Sequence, residues 1–314
     1  MTDGALAVTA VALHFRNPIV LAAGTAGYGA ELDGVVDLSA IGGIVTKAVS
    51  SEPRSGAAAP RVAEFDGGMI NAVGLANPGV AEVRRVHLPW LAANHRGLRK
   101  LANVVGFSEH EFASVIRALE EGVAASPGAL DGYELNVSCP NVRQGGTEFG
   151  ADAASLRAVV TGARAATARP LFVKLAPTLP DIAAAARIAV DAGADGITVV
   201  NTMPGLVVDL ARRRPVLGFG SGGVSGAAIL PVGVLATWKV TRAVSVPVMG
   251  LGGVASGADA LQYVIAGASL VGVGTAALRD PRAPARIVDE MRSWLRAHGV
   301  ASVAELRGAL QWPS

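Results

Sequence analysis

Cysteine is almost absent from this chain: Cys139 is the only one among 314 residues. A single thiol excludes an internal disulfide and leaves no cysteine set for zinc or an iron–sulfur cluster, and the pattern holds no other metal site. A reducing, cytoplasmic setting fits that composition. Charge of one sign is missing too. The formal net charge is +2, no run of five like charges occurs, and no nucleic-acid footprint is expected. The short basic cluster Arg212-Arg213-Arg214 reads as a solvated turn. Before Arg16 there is no Lys or Arg, and Asp3 sits near the start, against the pattern of a cleaved secretory signal. The longest uncharged run, residues 215–238, is interrupted by Gly218, Gly220, Gly222, Gly223, Gly226, Pro231 and Gly233. Such a run suits a loop and the start of a helix, and no membrane span is expected. No internal repeat, linker or low-complexity stretch marks a second domain, so residues 1–314 read as one domain.

What the chain does have is a repeated alternation. Residues 6–15 read as a short β-hairpin. Eight apolar, strand-like segments then follow at 19–22, 43–46, 101–105, 133–137, 171–175, 196–200, 246–250 and 270–273. Helical periodicity fills most of the gaps, as at 109–124, 153–166, 179–192 and 258–266, with Gly193 and Gly267 placed to stop the last two. Alternating strand and helix implies a parallel sheet, and eight such units predict an α/β fold, a TIM (β/α)8 barrel with closing helices over 281–310.

A barrel places its chemistry at the C-terminal ends of its strands. The polar residues fall there: Lys47 after the second segment, Asn103 in the third, Asn136 and Cys139 at the end of the fourth, Lys174 in the fifth, Asn201-Thr202 after the sixth. Singly, each has a bland explanation, since a lone Lys is usually solvated and a lone Asn often a cap. Unrelated surface residues, however, would scatter to both ends. Glycine clusters at Gly222-Gly223-Val-Ser-Gly226, Gly250-Leu-Gly252-Gly253 and Gly272-Val-Gly274-Thr275 stand at the last two strands or in the long loop before them. Bare backbone amides at that barrel position suit a ligand with a phosphate tail.

The central stretch is Tyr133-Glu-Leu-Asn-Val-Ser-Cys-Pro-Asn-Val-Arg-Gln-Gly-Gly146. A lone cysteine is more often a small buried hydrophobe than a reagent. Cys139 instead lies just past a strand end between Asn136 and Asn141, where a thiol has the surroundings of a base or nucleophile.

Asn-Val-Ser-Cys-Pro-Asn, together with Gly-Met-Ile-Asn-Ala-Val-Gly-Leu at residues 68–75, resembles the class 1 dihydroorotate dehydrogenases, flavin enzymes of pyrimidine biosynthesis. The resemblance covers nearly the whole chain. Val45-Thr46-Lys47-Ala48, Asn201-Thr202 and residues 209–217 are most like the NAD-linked class 1B. The membrane-binding extension of class 2 finds no room before the first strand. The resemblance implies FMN, with Gly226, Gly252, Gly253, Gly274 and Thr275 at the phosphate and ribityl chain. It implies Ala23, Lys47, Ala48, Asn103, Asn136, Lys174 and Val200 along the isoalloxazine, Ala23 standing where the family commonly has Ser. Substrate would be met by Lys47, Asn71, Ala72, Val73, Gly74, Leu75, Asn136, Asn201 and Thr202, with Asn71 and Asn77 forming a polar strip and Lys47 facing a carboxylate. Cys139 would be the catalytic base. A homodimer is implied, with FAD and a [2Fe–2S] cluster on a separate partner subunit. Two alternatives stay open: a dihydropyrimidine dehydrogenase-like flavoenzyme, which shares the Ser-Cys-Pro loop, and a phosphate-binding barrel without flavin.

Overall fold

A computed structural model describes residues 3–138 and 149–313 of the chain. Eight parallel strands close into a barrel: β1 Ile19–Leu21, β2 Gly43–Val45, β3 Arg99–Val104, β4 Gly132–Asn136, β5 Leu171–Leu175, β6 Gly196–Val199, β7 Val248–Leu251 and β8 Leu270–Val273. They pair in chain order, and β8 returns to β1 with Val271 opposite Ile19. Every residue of β1, β2, β5, β6 and β8 is buried. Strands covered by helices outside and side chains inside lose water on both faces, which is why they read as unbroken apolar runs.

The inner face is layered. Val20, Val45, Leu101, Phe172, Met249 and Leu270 form one apolar cluster with Ala10 and Phe15 of the N-terminal hairpin, Val8–Ala10 paired with Leu13–Phe15. The hairpin therefore plugs the N-terminal end of the barrel. Two residues further along their strands, Asn103 follows Leu101 and Lys174 follows Phe172, so the strand period turns both inward. With Glu134 and Thr198 they make a buried polar layer above the apolar one.

Side chains cap the starts of several helices. Asp152 accepts from Ser155 N at 2.8 Å at the start of Ala153–Ala166, and Asp181 accepts from Ala184 N at 2.8 Å at the start of Ile182–Asp191. The second cap moves that helix three residues past the predicted start at 179. Ser256 and Asp259 form a reciprocal capping box for Gly257–Ile265. Ala283–Ala297 and Val303–Leu306 close the fold as expected. Among the described residues no helix is long and apolar enough to cross a membrane.

One element was not anticipated. Val62–Phe65, Gly68–Asn71, Met203–Gly205 and Gly222–Ser225 form a four-stranded antiparallel sheet from the loops that follow β2 and β6. Gly223 pairs with Asn71 across that sheet, so a stretch read as a glycine loop is in fact a strand.

Candidate active site at the C-terminal rim

The residues expected to carry chemistry do share one end of the barrel. Ala23 follows β1, Lys47 and Ala48 follow β2, Asn103 lies in β3, Asn136 ends β4, and Lys174 is the fourth residue of β5. Val200, Asn201 and Thr202 follow β6, Gly252-Gly253 follow β7, and Gly274-Thr275 follow β8. Cys139, with Asn141 and Gly145-Gly146, lies outside the described residues.

A cavity runs over the last three strand ends, lined by Val200, Asn201, Thr202, Ser225, Gly226, Gly252, Gly253, Gly274 and Thr275. Its lining carries one acid, Asp66, and one base, Arg279. Close backbone approach explains the glycines: at Gly253, where φ is +74°, an added Cβ would lie 2.7 Å from Leu230 N. Tyr263 donates to Gly252 O at 2.6 Å and fixes that turn, while Thr275 Oγ1 donates to Ser225 Oγ at 2.8 Å across the cavity.

Beside this cavity the amides form a cluster. Asn201 Nδ2 donates to Ser138 Oγ at 2.7 Å and to Asn136 Oδ1 at 3.3 Å, and Ser138 Oγ donates to Asn136 Oδ1 at 3.3 Å. Thr202 N donates to Asn201 Oδ1 at 2.9 Å. Below them Asn103 Nδ2 donates to the buried Glu134 Oε1 at 2.8 Å. Lys174 stands in register with Asn136 on one side and Thr198 on the other, is 5% exposed, and has no hydrogen-bond partner among the described residues. Thr198 Oγ1 is likewise buried without a partner. The backbone of Lys47 is held by Gly27 O at 2.6 Å, and its side chain also has no partner among the described residues.

The segment from Asn71 to Leu75 divides into two parts. Asn71 Nδ2 donates to Gly223 O at 3.2 Å and Ala72 N to Arg61 O at 2.8 Å, so both belong to the added sheet. The N–H groups of Val73, Gly74 and Leu75 have no partner among the described residues. Asn77 departs from the expected polar strip. It is buried, accepts from Gly79 N at 2.9 Å and donates to Leu75 O and Ser50 Oγ at 2.8 Å each. All its capacity shapes the loop, so it forms no polar strip with Asn71.

A family model for dihydroorotate dehydrogenase matches residues 5–295. The chain belongs to that family, which is one of flavoproteins. It is 44% identical over 306 residues to the dihydroorotate dehydrogenase B (NAD(+)) catalytic subunit of Pelobacter propionicus, covering 98% of each chain. The same name belongs to a Trichlorobacter lovleyi relative, 43% identical over 98% of this chain and 99% of the other. A Solibacter usitatus relative, 45% identical over 98% of this chain and 99% of the other, is provisionally named as the fumarate-linked A type.

Within this dehydrogenase-family site, sequence reasoning passed over Ser138, Ser225 and Glu134. Ser138 and Ser225 sit beside residues that had been singled out, Cys139 and Gly226, and their roles come from hydroxyls meeting partners 63 and 50 positions away. Glu134 had a readable signal, a lone acid inside an apolar strand. The wall behind Ala48 is aromatic: Tyr28 donates to Ala48 O at 2.9 Å and stacks on His87 with ring centroids 4.2 Å apart. Burial pushes the Tyr28 hydroxyl up, aided by Glu31. Burial also holds the His87 imidazole below its ordinary value, against the opposing pull of Glu31 and Glu82.

Proposed function

We propose that this chain oxidises (S)-dihydroorotate to orotate with FMN, as the catalytic subunit of an NAD+-linked enzyme of pyrimidine biosynthesis in the cytoplasm. The observation that carries the reading is continuity. Asn201 and Thr202 line the glycine cavity and also anchor the amide cluster, so one ligand site passes into the other.

The residues present fit FMN. Backbone amides, two hydroxyls and Arg279 favour a phosphate at the glycine end, and the ammonium of Lys174, which no described residue meets, favours an electron-rich ring at the other. Gly226, Gly252, Gly253, Gly274 and Thr275 would hold phosphate and ribityl, and Ala23, Lys47, Ala48, Asn103, Asn136, Lys174 and Val200 the isoalloxazine. Ala23 offers a methyl and a backbone contact only. Bound FMN supplies the acceptor for the hydride that leaves C6. Lys47 pairs with the substrate carboxylate, and Asn71, the amides of Val73 to Leu75, Asn136, Asn201 and Thr202 orient its ring. Cys139 takes the proton from C5, and loss of that proton together with the C6 hydride leaves the C5–C6 double bond of orotate.

Purified protein is expected to show a flavin absorption band that bleaches when dihydroorotate is added without oxygen. Cys139→Ala should keep its FMN and reduce it at least ~100-fold more slowly, the low end of what a positioned base contributes. Without a flavin band both flavoenzyme readings fail; reduction of the alanine variant at the wild-type rate makes Cys139 a packing residue. The names of the B-type relatives motivate a partner: a subunit carrying FAD and a [2Fe–2S] cluster, docked on each protomer of a homodimer. The isolated chain then reduces artificial dyes but not NAD+. The Solibacter relative supplies the competing outcome, efficient reduction of fumarate by this chain alone.

A further inference from the structure

The amide cluster has a direction, and it starts from the backbone. The N–H of Thr202 can only donate, and it meets Asn201 at 2.9 Å. The atom it meets must be the amide oxygen, since an NH2 there would set donor against donor. Asn201 Nδ2 is thereby turned to Ser138 Oγ at 2.7 Å and to Asn136 at 3.3 Å. The same reasoning passes on to Asn136. The atom facing Asn201 Nδ2 has to be the oxygen, and the Ser138 hydroxyl, 3.3 Å away, donates to that same oxygen. Asn136 Nδ2 is left without a partner among the described residues. Ser138 is the hinge of this relay: it accepts from one asparagine, donates to the other, and is 3% exposed, so water has little access to replace it.

We propose that Ser138 is a positioning residue for the dehydrogenase reaction. With the polarity of Asn201 set by the Thr202 N–H, the Ser138 hydroxyl is the second donor that holds Asn136 Oδ1 turned inward, so that the site presents an N–H donor at Asn136. That fixed donor selects ligands with an acceptor oxygen at the matching ring position, a carbonyl or a carboxylate. The inference rests on the reading that Asn136 and Asn201 hold the substrate. Alanine at 138 can neither accept nor donate: Asn201 Nδ2 loses its 2.7 Å acceptor, and the Asn136 amide, left with one 3.3 Å bond, becomes able to turn over. Each stray amide group then costs about what one unsatisfied hydrogen bond costs.

The test is a double-mutant cycle on the FMN-loaded protein, read as orotate affinity by calorimetry. Ser138→Ala is expected to weaken orotate about tenfold, with FMN content and melting temperature kept. In an Asn136→Ala background the same change should alter affinity less than about twofold, because the residue it acts through is gone. Ser138→Thr, which keeps the hydroxyl, should restore most of the loss and guards against a folding defect in the alanine variant. Equal tenfold losses in both backgrounds, or no loss in either, overturn the positioning role. If Asn136→Ala itself leaves orotate affinity unchanged, the substrate reading of Asn136 fails, and the proposal falls with it.

Discussion

Two lysines are nearly buried in this barrel, and they are buried for opposite reasons. Lys100 is the second residue of β3, 2% exposed, and its ammonium donates to the carbonyls of Leu91, Asn94 and Gly128. Lys174 is the fourth residue of β5, 5% exposed, and no described residue meets its ammonium. Burial and residue type are almost the same; only the hydrogen-bond accounting separates them. An ammonium whose protons all find carbonyls is a strut, whereas one left without partners inside a protein is costly unless something else comes to meet it. Their places agree with this difference, since Lys100 lies near the plugged end of its strand and Lys174 near the open rim, where barrels keep their chemistry.

The comparison is broken most directly by removing each lysine in turn. Lys100→Ala strands three carbonyls and opens a cavity, so the unfolding free energy should fall by at least about 3 kcal/mol in urea denaturation of the flavin-free protein. Lys174→Ala should change that free energy by less than about 1 kcal/mol, in either direction, because its ammonium has no hydrogen bond to a described residue to lose. It should instead lower FMN affinity about tenfold or more, the worth of a charge-assisted contact. Equal stability losses in the two variants would mean that Lys174 is also structural.

A smaller effect sharpens the same contrast with two glycines. A Cβ at Gly42, by the plugged end, would lie 2.1 Å from Asn17 O, and one at Gly223, in the added sheet, would lie 2.0 Å from Thr202 Oγ1. Either alanine overpacks its site, at a cost of about 1–3 kcal/mol. Gly42→Ala should appear in the denaturation midpoint alone. Gly223→Ala pushes on Thr202 and through it on Asn201, so it should also weaken orotate binding in calorimetry. A loss of orotate affinity in both would break the separation between the two ends.

The barrel was legible in the sequence because strands covered on both faces show as uncharged apolar runs, and all eight appear near their predicted positions. Two strand starts lie two residues from where they were read, Val248 rather than 246 in β7 and Arg99 rather than 101 in β3. β3 was read from 101 because Arg99 and Lys100 break the apolar run, yet the strand includes both: Arg99 pairs with Asp131 at 3.0 Å and Lys100 finds its carbonyls. The N-terminal hairpin was legible from its apolar pattern but not from its turn, where Val11 and Ala12 take φ of +47° and +61° without the Gly or Asn that usually marks such a turn. The added sheet was not legible at all. Its strands are three or four residues long, some of them glycine-rich, and Asn71 pairs with Gly223 from 152 positions away, so no local period announces them. The rim residues were readable because the barrel tells which end of a strand matters. Ser138 needed coordinates, since nothing in its neighbours indicates which asparagine it would meet.

Lys100 and His87 also allow the comparison to be made by pH. Burial is the largest cause of the Lys100 ammonium lying below its ordinary 10.5, with Asp131 opposing and Arg96 adding to the fall. For His87 burial again leads, lowering the imidazole below 6.5 while Glu31 and Glu82 oppose. In both cases the unfolded chain holds more protons than the folded one between the lowered value and the ordinary one, so stability rises with pH across that window. For Lys100 the window ends near 10.5, far from neutrality. For His87 it ends near 6.5, so acidification from pH 7.5 first exposes the penalty of charging an imidazole stacked on Tyr28, behind Ala48. The effect is the smallest predicted here, because Glu31 and Glu82 partly offset it. His87→Gln removes the titration, so its urea midpoint should fall less than the wild type's between pH 7.5 and pH 5. The gap between the two proteins should close again at pH 7.5 and above. Midpoints that fall in parallel would mean that the carboxylates around His87, and not the imidazole, set the acid limit on this side of the rim.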